Sequence, residues 1–79
     1  MLTDLSCKST ISAASLAGRT IKKFDRHGLY LEAKPTGKGF WYYKYRIHGK
    51  ELKVGFGQYP TVSLAEARDR HYIAYKQVE

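Results

Sequence analysis

Phe40-Trp41-Tyr42-Tyr43-Lys44-Tyr45-Arg46-Ile47 is the stretch on which the fold turns. It is rich in aromatic residues, free of Gly and Pro, and bounded by Gly39 before it and Gly49 shortly after it. Such a composition marks a β-strand. Side chains alternate across a strand, so Trp41, Tyr43, Tyr45 and Ile47 share one face while Phe40, Tyr42, Lys44 and Arg46 share the other. One face is apolar and the other is basic and aromatic, the pattern of an antiparallel strand with one side packed and one side wet.

Downstream, His48-Gly49-Lys50 is a short hairpin connection containing Gly. Glu51 to Phe56 alternates again, with Leu52, Val54 and Phe56 on one side and Lys53 on the other. Upstream, Pro35-Thr36-Gly37-Lys38-Gly39 is a turn cluster, preceded by the alternating strand Leu29-Tyr30-Leu31-Glu32-Ala33. Asp25-Arg26-His27-Gly28 is a further turn, and Thr20 to Phe24 a short further strand. The economical arrangement is an antiparallel meander of three strands, or of four if Thr20–Phe24 joins it. Leu29, Leu31, Leu52, Val54 and Phe56 belong with the Trp41 face as the purely apolar residues.

Gly57-Gln58-Tyr59-Pro60 ends the sheet, and a helix follows. Ser63 is its N-cap and Glu66, three residues on, completes a capping box. Leu64, Ala67, His71, Ala74 and Tyr75 fall on one face at helical spacing, and that stripe is expected to lie on the sheet. At the other end of the chain, Thr3 caps a short helix to about Ser9, and the small Ser/Ala stretch to Gly18 either extends that helix or, as the favoured reading, is a loop. The fold class is therefore α+β: a three- or four-stranded antiparallel sheet packed on a C-terminal helix, with a short N-terminal helix. Residues 1–79 form a single small domain: helix and loop over 1–19, sheet over 20–58, helix over 63–78. The last helix meets no glycine or proline stop before Glu79, as expected of a fragment of a longer protein.

Composition narrows the function. Seventy-nine residues make one domain with a thin core. A hydrophobic share of 43% and an aromatic share of 14% exclude a disordered tail. The net charge of +7 makes polyanions the natural partners: nucleic acid, an anionic membrane surface or an acidic protein. Cys7 is the only cysteine, which excludes an internal disulfide and a cysteine zinc cluster and suits a reducing, cytoplasmic setting. No apolar run is long enough to cross a bilayer and no targeting signal is recognisable.

The face opposite the helix carries Tyr30, Glu32, Tyr42, Lys44, Arg46 and Lys53, with Lys34, Lys38 and Lys50 at its rim. It reads either as a plain solvated face, where lysine discourages edge-to-edge aggregation, or as a nucleic-acid platform. In the second reading the cations neutralise phosphates, Lys44 or Arg46 pairs with guanine edges, and the tyrosines pack or hydrogen-bond. Lys44, Arg46 and Lys53 are the principal candidate contacts, Tyr42 lies beside them, and Lys34, Lys38 and Lys50 are placed on the backbone.

The ordered set Gly28-Leu29-Tyr30-Leu31, Trp41 to Arg46, Gly49-Lys50, Phe56-Gly57 with Tyr59-Pro60, and Ser63-Leu64-Ala65-Glu66-Ala67-Arg68 resembles the N-terminal domain of P4-type prophage and genomic-island integrases, which are tyrosine recombinases. The opening Leu2-Thr3-Asp4 is similar to theirs as well. The resemblance implies an arm-type DNA-binding domain that grips duplex DNA flanking the crossover core, with its sheet in the major groove. Family members often carry basic residues at the positions of Tyr42, Lys44 and Arg46; here the first is tyrosine. The stretch from Ser6 to Arg19 departs from the family by being richer in Ser and Ala and lacking a proline. The catalytic Arg, Lys, His and Tyr set of such enzymes lies in a later domain, and nothing in this chain matches it, so the chain is not expected to be an enzyme. The resemblance implies double-stranded DNA, the rest of an integrase chain and further copies on DNA as partners. No membrane, small-molecule substrate or cofactor is called for.

Rival readings are thinner. Lys38-Gly39-Phe40-Trp41-Tyr42-Tyr43-Lys44-Tyr45 has a passing likeness to the RNP1 string of the RNA recognition motif, with Phe40 and Tyr42 as stacking rings. Trp41 stands where that motif has a small residue, and no helix fits between the first two strong strands. A module that adds an acidic peptide to a sheet edge has only the charge in its favour. His27, His48 and His71 are too scattered for a metal site; His48 serves a turn and His71 a helix–sheet interface. Arg68 and Arg70 flank Asp69 and read as a solvated helix face, with Arg68 also able to reach a phosphate.

Overall fold

The computed structural model describes residues 2–78. Among these, four strands and two helices follow in the order α1 (Asp4–Ala17), β1 (Ile21–Phe24), β2 (Leu29–Ala33), β3 (Gly39–Ile47), β4 (Lys50–Tyr59) and α2 (Leu64–Val78). The strands form one antiparallel meander in chain order, so the short first strand does join the sheet. Both helices pack on the same face, α1 over β1 and β2 and α2 over β3 and β4. The class is α+β, as the alternation of the sequence implies.

The N-terminal helix is longer than the sequence suggests. It runs through all fourteen residues to Ala17 instead of ending near Ser9. Thr3 caps it in a reciprocal box with Ser6, and Gly18 closes it at φ 67° in the left-handed region. The serines that argued for a loop are tolerated because Cys7, Thr10 and Ala14, spaced for one helical face, are buried on the sheet. Small side chains let the helix lie close. The thiol of Cys7, fully buried, is pushed up to about 11, first by desolvation and then by Asp4 and Asp25. It is therefore protonated and unreactive at neutral pH.

Strand β4 runs to Tyr59, one residue past the expected end of the sheet at 58. A bulge opposite Trp41 and Tyr42 explains why: Tyr42 pairs with Gly55 and Trp41 with Gly57, leaving Phe56 as the extra residue. That one-residue shift re-phases the strand, so Tyr59 turns inward and meets Trp41 edge-on at 6.1 Å. Gly57 sits at φ 119°, and a Cβ there would come within 2.7 Å of Val62. Trp41 anchors the centre, fully buried, with its Nε1–H donating to the Val62 carbonyl at 2.7 Å. Leu29, Leu31, Tyr43, Phe56, Leu64 and Ala67 complete the core around it.

Two side chains assigned to a solvated helix face serve the fold instead. Arg68 donates from Nε and Nη2 to the carboxylate of Asp25, both at 3.0 Å, and from Nη2 to the Leu2 carbonyl at 2.8 Å. Asp25 also accepts from the Leu2 amide at 2.9 Å, and its side chain is fully buried. One carboxylate thus ties the N-terminus, the β1–β2 turn and α2 together. Arg70 donates to the Phe56 carbonyl at 2.9 Å, at the bulge. The stripe on α2 is as expected: Leu64, Ala67 and His71 are buried, with Ala74 and Tyr75 partly so. His71 meets Tyr43 edge-on at 4.7 Å, with Nε2 3.1 Å from the His27 carbonyl. His48 occupies its turn at φ 51°, followed by Gly49 at φ 80°, the two positive φ values of a tight hairpin.

Candidate nucleic-acid interface

The side of the sheet away from the helices is ordered in rungs that the strand register defines. The first is Lys22, Glu32, Phe40 and Gln58; the second is Phe24, Tyr30, Tyr42 and Gly55. Beyond β1 and β2 the β3–β4 hairpin continues alone, with Lys44 opposite Lys53 and then Arg46 opposite Glu51. Successive rungs are about 7 Å apart, two residues along a strand. An aromatic rung is therefore followed directly by a cationic one.

The aromatic rung holds the cationic one in place. Tyr30 packs against Phe24 at 4.8 Å and Tyr42 at 5.7 Å, and is almost fully buried although it points away from the helices. Its phenol is pushed up, first by burial and then by Glu32, Tyr42 and Glu51, so it stays a neutral hydroxyl. Gly55 leaves room for the Tyr42 ring: a Cβ there would stand 3.4 Å from Cε1. The ammonium of Lys53 sits over that ring at 4.4 Å, and that of Lys22 over Tyr30 at 5.7 Å. Such contacts fix a cation without neutralising it.

Ion pairing on this face is uneven. Glu32, whose side chain is only 9% exposed, binds Lys34 at 2.9 Å and Lys22 more loosely at 3.9 Å. Glu51 stands 3.5 Å from Lys44 and 3.8 Å from Arg46, and is itself half exposed. Exposed pairs at such distances contribute little to stability. Like charges directly opposite each other on adjacent strands are unfavourable, so Lys44 facing Lys53 is an arrangement that folding alone does not favour.

Lys44, Arg46, Lys53 and Tyr42 are thus brought together on one face. The remaining candidates are dispersed. Lys34 and Lys38 flank the β2–β3 turn, where the Lys34 amide donates to the Lys38 carbonyl at 2.7 Å. Lys50 lies at the opposite end of the sheet, in register with Ile47 and so on the helix-side parity. The nine residues of β3 separate the two turns, about 26 Å at 3.3 Å per residue. Sequence reasoning missed Lys22 and Glu51. Alternation in Ile21-Lys22-Lys23-Phe24 contains the signal for Lys22, but its use requires knowing that β1 pairs with β2. No group of residues suited to a metal ion occurs among the described residues, and no helix among them is long and apolar enough to cross a membrane.

A four-stranded sheet with cations held over rings on one face and both helices on the other suits a nucleic-acid-binding module. Comparison with known proteins gives the particular kind: the chain belongs to the Arm DNA-binding domain family, which it matches over residues 2–79. It is 38% identical over 68 residues to the integrase of Shigella phage Sf6, and equally so to the prophage integrase IntS of Escherichia coli (strain K12); each match covers 86% of this chain and 18% of the relative. It is 40% identical over 68 residues to the integrase of Enterobacteria phage P4, covering 84% of this chain and 16% of that protein. The chain therefore spans less than a fifth of the length of these relatives. The match to the Arm DNA-binding domain accounts for all but the first of its residues.

Proposed function

We propose that this domain holds a phage- or island-type integrase on duplex DNA at arm-type sites, working on the bacterial chromosome in the cytoplasm, with the β3–β4 hairpin in the major groove. The observation that carries the reading is the Lys44–Lys53 rung followed by Arg46, on a hairpin that extends past the rest of the sheet. The β3–β4 hairpin runs on past the last residues of β1 and β2 that pair with the sheet. A two-stranded ribbon fits a major groove roughly 12 Å wide. Arg46, with 76% of its side chain exposed, suits a guanine edge, while Lys44 and Lys53 suit phosphates.

The packing of the rings favours duplex over single strands. A stacking platform needs open ring faces. Here Tyr30 is buried and Tyr42 is topped by Lys53, Phe40 is partly buried, and Phe24, 55% exposed on the edge strand, is the one open ring of its rung. Lys34, Lys38 and Lys50 are assigned to backbone phosphates at the two ends of the sheet.

The test is fluorescence anisotropy of the purified domain with duplex DNA, single-stranded DNA and single-stranded RNA across a salt series. The expected result is tight binding confined to duplex, with a log–log salt slope near −5 for about six phosphate contacts. Lys44→Ala combined with Arg46→Ala should remove most of the affinity and flatten that slope. Unchanged affinity and slope in the double variant would rule out this face.

A further inference from the structure

Between the aromatic rung and the hairpin lies a depression of about 280 Å³ lined by Lys22, Tyr30, Lys44, Glu51, Leu52 and Lys53. The geometry points to a seat for a single DNA backbone phosphate among Lys22, Lys44 and Lys53, with the Glu51 carboxylate holding one of these lysines, Lys44, until DNA arrives. The inference rests on the open face being the DNA-binding face, and adds one defined subsite and one negative regulator to it.

Three different strands each send one lysine to the depression: Lys22 from β1, Lys44 from β3 and Lys53 from β4. Two of these ammonium groups are perched over Tyr30 and Tyr42, whose ring centroids are 5.7 Å apart. A lysine over a ring keeps its full charge and has lost part of its hydration, so an incoming anion meets a partly desolvated cation. The neutral Tyr30 phenol keeps the floor uncharged.

The carboxylates nearby differ in kind. Glu32 is buried, binds Lys34 at 2.9 Å and reaches Lys22 only loosely at 3.9 Å, so it is part of the framework beside the seat. Glu51 is half exposed, sits on the hairpin next to the turn and reaches Lys44 at only 3.5 Å. A carboxylate and a phosphodiester are both acceptor-only anions of single charge, and they compete for the same donors. Glu51 therefore holds Lys44 and Arg46 in position in the free protein. It also raises the threshold for DNA, because a phosphate must displace it or lie clear of it. Repulsion built into a basic surface suppresses loosely seated complexes, the usual route to specificity.

The test measures wild type, Lys22→Met, Glu51→Gln and the double variant by anisotropy against a mixed-sequence duplex over a salt series, with thermal unfolding as the control for folding. Both side chains are about half exposed, so melting temperatures should hold. Lys22→Met should weaken binding several-fold and reduce the salt slope by about 0.9, the loss of one phosphate contact. Glu51→Gln should tighten binding several-fold, and that gain should shrink to less than half in the Lys22→Met background, because the seat it opens is then incomplete. Should Lys22→Met change neither affinity nor slope while Lys44→Ala plus Arg46→Ala still abolishes binding, the seat is wrong and the face is right. Should the Lys44 and Arg46 variant also bind normally, the face itself is wrong. Weaker binding by Glu51→Gln would make Glu51 a direct contact to a base donor and overturn its role as a stand-in.

Discussion

The two ends of strand β3 are made from the same alternation and live in different environments. At the Trp41 end both helices cover one face and the aromatic rung packs the other, so Trp41, Leu31 and Tyr30 are all but fully buried. At the Arg46 end neither face is covered: Ile47, Leu52 and Val54 point to the helix side yet are 39%, 41% and 36% exposed. Alternation fixes which face a residue takes, whereas burial depends on how far the helices reach. One end of the hairpin is a core and the other is an arm. The division suits a DNA-binding module, since the arm can carry an excess of positive charge without weakening the core that holds it.

The sharpest way to break this comparison is to attack the core end. Trp41→Ala removes a fully buried ring together with its hydrogen bond to Val62. The expected loss is about 3–5 kcal/mol, a large part of the stability of so small a domain, and chemical denaturation measures it. A loss under about 1 kcal/mol would mean that the Trp41 end is no core.

Next in size is the Asp25–Arg68 clamp. Burial alone would raise the Asp25 carboxyl, but hydrogen bonds from Arg68 and the Leu2 amide outweigh it and hold the group below the usual carboxylate range. A group depressed in the folded state contributes stability that is present above its unfolded value, about 3.9. That contribution is lost as pH falls through the lower folded value. Acid titration of wild type should show this loss below about pH 4, and Asp25→Asn should flatten it. At neutral pH the same variant should cost roughly 2–4 kcal/mol by removing the charge that Arg68 pairs with, although its bond to the Leu2 carbonyl remains. An unaltered acid limb in Asp25→Asn would place the pH dependence elsewhere.

Gly28 lies where the two ends join. Its carbonyl accepts from the Lys44 amide at 3.0 Å, its φ is 86°, and a Cβ would stand 2.2 Å from the Lys44 carbonyl oxygen. Gly28→Ala must therefore shift backbone as well as adopt a left-handed conformation, at a cost of about 1–3 kcal/mol. Because Lys44 must move with it, DNA affinity should fall along with the melting temperature. Full affinity in a destabilised Gly28→Ala domain would show that the position of Lys44 does not matter to binding.

The sequence made the sheet, its faces and the C-terminal helix legible because each rests on local signals: alternation of period two, turn glycines, and a Ser63–Glu66 cap. Lys44, Arg46, Lys53 and Tyr42 could be grouped for the same reason. What stayed hidden depended on contacts between distant segments. The full length of α1 follows from Cys7, Thr10 and Ala14 finding the sheet, and the inward turn of Tyr59 from a bulge that no alternation rule contains. Arg68 looked like a surface residue because its partner, Asp25, is forty-three positions away. Lys22 and Glu51 enter the interface only once the register is known.

The smallest effect is the most informative about the arm. Leu31 and Leu52 are the same residue on the same face of one sheet, at 0% and 41% exposure. Leu31→Ala should cost about 2–5 kcal/mol, since the helices cannot collapse fully into the space it leaves. Leu52→Ala leaves no enclosed cavity and loses only part of a side chain's burial, so about 1 kcal/mol or less is expected. If Leu52→Ala instead matched Leu31→Ala, something would have to cover the hairpin in solution, and dependence of the melting temperature on protein concentration would identify a second copy as the cover. Equal stability at all concentrations, with a small loss, would leave the arm as a structure held by its backbone ladder and its attachment to the core alone.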